Sequence, residues 1–80
     1  MIKCVLGKAI AEARIQVGVT QEQLSSNTNI NNRYLQKLEA GEQLPSYYTL
    51  FKLAEACETT PDKLIMPLWK TWIKKGCPEF

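Results

Sequence analysis

The side chains that ordinarily carry catalysis or metal binding are sparse in this sequence of 80 residues. It contains no histidine, and its three cysteines, Cys4, Cys57 and Cys77, stand far apart with no C-x-x-C pairing, so no metal site is expected. No glycine-rich loop has the spacing that cradles a phosphate, and no nucleophile is accompanied by a recognisable base. An enzyme is the least supported class, and neither a cofactor nor a small-molecule ligand is expected. The chemistry that remains is hydrogen bonding. Residues 31–40, NNRYLQKLEA, gather two asparagines, a glutamine, an arginine and a lysine around Leu35 and Leu38. Amide side chains both donate and accept, whereas guanidinium and ammonium groups only donate.

Those side chains need a scaffold, and the punctuation of the sequence supplies an all-helical one. Leu6, Ile10, Ala13 and Val17 recur at helical spacing from about Val5 to Val17, and Gly18 stands where a left-handed cap ends a helix. Thr20 and Gln23 form a T-x-x-Q capping box that opens a short second helix to about Ser26. Residues 27–31 are rich in turn-formers, and Asn29 tolerates the left-handed conformation of a tight turn. Asn31 caps a third helix that Gly41 terminates. After Pro45, Ser46 caps a fourth helix with an apolar stripe of Leu50, Leu53, Ala54 and Cys57; Thr60 and Pro61 begin a fifth, where Asp62 complements the dipole. No alternating pattern suggests a sheet, and no linker is long enough to separate two domains.

Composition sets the outer bounds. A 45% hydrophobic content fits one small globular domain, with a core modest enough that sharing apolar surface with a second copy has a physical motive. The formal charge of +2 is too small to indicate a nucleic-acid binder by itself. Residues 1–45 hold five basic against four acidic side chains, and residues 46–80 repeat that balance, so a cationic face must come from local geometry. With no apolar leader and no stretch of membrane-spanning length, a soluble cytoplasmic protein with reduced thiols is expected, and no membrane partner.

From Gln21 to Leu38 the apolar positions Leu24, Ile30, Leu35 and Leu38, with the small Ser25 at the expected crossing, have the spacing of a helix-turn-helix. The run GVTQEQLSSNTNINNRYLQKLEAG, followed by LPSYYTLFKLAEACETTPDKL, resembles the lambda-repressor and Cro-like helix-turn-helix family, of XRE type, over roughly residues 5–65. The resemblance implies a five-helix domain over residues 1–66; residues 67–80, beyond the resemblance, are expected to add a helical tail. It implies a transcription regulator that binds double-stranded DNA through the third helix. Carried over by position, Asn32, Arg33, Gln36 and Lys37 face base edges, the cations suited to guanine and the amides to bidentate pairing with adenine. Gln21, Asn31 and Tyr34 fall at phosphate-contacting positions, although capping also accounts for Asn31 and in part for Gln21; for Tyr34 phosphate contact is preferred to burial against the second helix. Arg14 and Glu39 correspond to a pair joining the ends of the first and third helices.

Three positions depart from the family pattern. Thr28 stands where an apolar residue usually packs, Asn29 replaces a turn glycine, and Glu42 occupies a loop that is often basic. Glu42 and the low net charge suggest modest non-specific affinity and reliance on a dimer. Beyond Met66, Leu68, Trp69, Trp72 and Ile73 make an apolar face that the chain's own core or a two-fold mate must cover; a homodimer is the preferred reading. The main rival is a protein-interaction module on the same fold, of antitoxin or coactivator type.

Overall fold

The computed structural model describes residues 2–75, with side-chain environments for residues 3–74. Cys77 and the end of the expected tail, residues 76–80, lie outside the described residues. Five helices follow in order: α1 (Ile2–Val17), α2 (Gln21–Thr28), α3 (Asn32–Glu39), α4 (Tyr47–Ala56) and α5 (Pro61–Lys75). No strand occurs among the described residues, and the expected all-α class holds.

Each helix sends its apolar stripe to one centre. Leu6 and Ile10 of α1, Leu24 of α2, Leu35 and Leu38 of α3, Leu50, Leu53 and Ala54 of α4, Cys57 at its end and Leu64 of α5 form the buried core. Each large side chain so buried contributes about 1.5–3 kcal/mol. Leu68 packs against this cluster from the later part of α5, whereas Trp69 and Ile73 remain exposed.

The helix ends explain how so short a chain turns so often. In α1, α2, α3 and α4 the last turn closes by paired backbone bonds around a left-handed residue. Gly18 and Gly41 supply that residue twice, as their positions foretold, and Asn29 supplies it in the turn. Glu58, at φ 56°, is the fourth, and its composition gave no sign of it. After Gly41, for example, the Gly41 N–H donates to Leu38 O at 3.2 Å and the Glu42 N–H to Lys37 O at 2.9 Å.

Two boundaries differ from those read in the sequence. Helix α1 begins at Ile2 rather than near Val5, and α2 runs to Thr28 rather than Ser26. Thr28 is compatible with a helix because its hydroxyl donates to Leu24 O at 2.7 Å, which satisfies a polar group that is otherwise buried. Helix α5 passes through Pro67 without ending. Proline removes one backbone donor and crowds the preceding turn, yet here flanking helix and contacts with α1 hold the segment together.

Candidate nucleic-acid interface

The site is a pair of short helices crossing at a three-residue turn, Asn29 to Asn31. Thr20 opens α2 with both bonds of its capping box: the Gln23 N–H donates to Thr20 Oγ1 at 3.1 Å, and the Thr20 N–H to Gln23 Oε1 at 2.8 Å. Asn29 turns the chain at φ 57°. The Ser25 hydroxyl then donates to Ile30 O, tying α2 directly to the turn. Asn31 starts α3 by accepting from the Arg33 N–H at 2.8 Å and the Tyr34 N–H at 3.4 Å.

This entry sets the rotation of α3. Leu35 and Leu38 point wholly inward, and Tyr34 is half-buried against the core. Arg33 and Gln36 are exposed on the other side, flanked by the half-buried Asn32 and Lys37. None of these four is enclosed within the fold. Asn31 is exposed beside them, while Gln21 is half-buried at the start of α2. Glu22 and Glu42 are also exposed, so the surface around the α3 cations carries acids.

Behind this face lies a polar clamp. Arg14 Nε donates to Glu39 Oε2 at 2.9 Å and Arg14 Nη2 to Glu39 Oε1 at 3.1 Å, a bidentate pair joining α1 to the end of α3. The two side chains retain only 16% and 6% exposure. Arg14 Nη1 reaches Val19 O at 2.9 Å, and Gln21 Nε2 donates to Glu39 Oε1 at 3.0 Å. Gln21 is therefore partly committed to the scaffold, a bond that the position-by-position resemblance did not reveal. Cys57 lies in the electrostatic reach of this clamp: burial pushes its thiol pKa up, the Glu39 carboxylate adds to the rise, and Arg14 opposes it.

The sequence reading also missed Gly7. A Cβ there would lie 2.8 Å from Glu39 O and closer still to Leu38 O, so the missing side chain is what lets α1 approach the end of α3. Its only signal was a glycine inside a helical run. Tyr47, Tyr48 and Phe51 form an exposed aromatic patch on α4, with Lys52 Nζ 4.7 Å from the Tyr48 ring centre.

Two capped helices at a tight turn, with a polar outer face on the second, define a helix-turn-helix protein. A helix-turn-helix family model matches residues 10–64, and the chain belongs to that family, of the Cro and XRE type. An HTH-type transcriptional regulator, y4dJ of Sinorhizobium fredii, is 32% identical over 66 residues, which span 82% of this chain and 86% of that protein. Among solved structures, the restriction-modification controller protein C.AhdI of Aeromonas hydrophila superposes with a TM-score of 0.74 at 27% identity, over 78% of this chain and 94% of that one. The clp gene regulator ClgR of Corynebacterium glutamicum gives a TM-score of 0.81 at 21% identity, over 94% of this chain and 80% of that one, a likeness of fold. These relatives are regulators rather than enzymes. No helix among the described residues is long and apolar enough to cross a membrane.

Proposed function

We propose that the protein is a sequence-specific regulator that reads double-stranded DNA by laying α3 in the major groove. The observation that carries this reading is the separation of faces on α3: Leu35 and Leu38 are fully buried while Arg33 and Gln36 project outward, with Asn32 and Lys37 beside them. A B-form major groove admits one helix and displays a distinct donor and acceptor pattern for each base pair. Asn32, Arg33, Gln36 and Lys37 contact base edges. Gln21, Asn31 and Tyr34 contact phosphates and fix the register without reading sequence.

Residues 1–66 form the DNA-binding unit, and 67–80 extend it as a dimerisation segment. The exposed Trp69 and Ile73, adjoining Leu68 and Trp72, favour a two-fold mate over that part of α5. A dimer sets two α3 helices about 34 Å apart on half-sites one helical turn apart, on a near-palindromic operator. The similarity to a restriction-modification controller protein, 94% of whose chain is covered, supports a regulatory role.

Selection of bound DNA from a random pool, repeated at two salt concentrations, tests this function. The expected result is a near-palindromic consensus whose binding weakens as salt rises. Recovery of no consensus at either salt contradicts it.

A further inference from the structure

Bidentate pairing with adenine requires a carboxamide to offer its oxygen and its nitrogen together. Asn32 is not arranged to do so. As the first residue of α3 it is half-buried, and its Oδ1 is buried with no hydrogen-bond partner among the described residues. The amide nitrogen is neither buried nor bonded within the described residues, so the side chain turns its acceptor inward and its two donors outward. Reversing the amide would bury two donors where one oxygen now sits, and leave the lone acceptor to meet DNA.

We infer that Asn32 acts in the major groove as a donor alone, and selects guanine over adenine at the base pair it faces. Guanine offers two neighbouring acceptors, O6 and N7, to an outward NH2 group. Adenine offers N7 beside an amino group that opposes the incoming donors. This rests on the reading of α3 as the helix that enters the groove, and it replaces the adenine pairing expected for Asn32 from residue type.

The test compares the full chain with Asn32→Ala in selection from a random DNA pool. It then measures binding to the selected operator with 7-deazaguanine, which lacks the N7 acceptor, at the affected position. The substitution removes an unpaired buried oxygen, so thermal melting of N32A is expected at or above the wild-type temperature. The inference expects N32A to flatten a guanine preference at one symmetric pair of positions. It also expects 7-deazaguanine there to weaken wild-type binding about fivefold to tenfold and N32A hardly at all. Loss of an adenine preference instead overturns donor-only reading while leaving base recognition by α3 intact. A uniform loss across all sequences overturns it in favour of a phosphate contact. A wild-type protein that selects no DNA removes the functional reading on which the inference stands.

Discussion

Gly7 of α1 lies against the main-chain carbonyl of Leu38 in α3, with no room for a side chain between the helices. The contact couples a position far from the polar face to the orientation of the helix that carries it. Gly7→Ala gains helix propensity of about 1 kcal/mol, but the added methyl meets backbone rather than a flexible side chain. Net destabilisation of about 1–2 kcal/mol is expected in urea unfolding. A midpoint equal to or above that of the wild type would show that α1 can move away without penalty.

The Arg14–Glu39 pair should be asymmetric in its response to mutation. Removing either partner strands a largely desolvated charge and, for Glu39, also releases Gln21, so Arg14→Ala and Glu39→Ala should each cost about 3 kcal/mol. Replacing both with apolar side chains of similar size, Arg14→Met with Glu39→Leu, should recover much of that loss. Additive losses in the double variant, followed by chemical denaturation, would argue against a coupled clamp.

Glu58 holds a left-handed conformation at the end of α4 that costs a side-chain-bearing residue about 1–2 kcal/mol. Glu58→Gly relieves that strain at the expense of chain entropy, so a net gain of about 0.5–1 kcal/mol is expected in thermal unfolding. Asn29→Gly should gain less, because asparagine already tolerates its φ of 57°. Equal effects at the two sites would contradict this ranking.

Cys57 should make the fold sensitive to alkali. Its folded pKa is raised, chiefly by burial and further by Glu39, so the folded state keeps the thiol protonated where the unfolded chain loses its proton. This contribution to stability is complete below the ordinary thiol pKa and is lost as pH rises through the folded value. The wild type should therefore lose more stability than Cys57→Ala between neutral and alkaline pH. In a Cys77→Ser background, the exposed Cys4 should react quickly with a thiol reagent and Cys57 slowly. Equal labelling rates would show that Cys57 is not protected by the core.

Local chemistry made much of this fold legible in the sequence. The Thr20–Gln23 box, the Asn31 and Ser46 caps and the glycines at 18 and 41 act through bonds within a few residues, and all appear in the structure. The apolar stripe of α4 was equally direct, since Leu50, Leu53, Ala54 and Cys57 are all buried. Contacts made across the fold were harder to read. Nothing within α1 requires Gly7 to be a glycine; the requirement comes from Leu38 and Glu39. The Gln21 bond to Glu39 and the inward turn of the Asn32 oxygen likewise depend on how three helices meet, which residue type does not encode.

The central claim is that the outer face of α3 discriminates among bases. Arg33 tests it most directly, because it is exposed and its side chain has no partner among the described residues, so Arg33→Ala should leave unfolding unchanged. The measurement is binding of the wild type and R33A to a selected operator and to each of its single-base variants at one salt concentration. A bidentate contact to guanine is expected to give the wild type about five- to hundredfold discrimination at one position per half-site, and R33A should lose it there while retaining preferences elsewhere. An unchanged preference profile in R33A, or the same fractional loss on every sequence, would contradict base reading by α3.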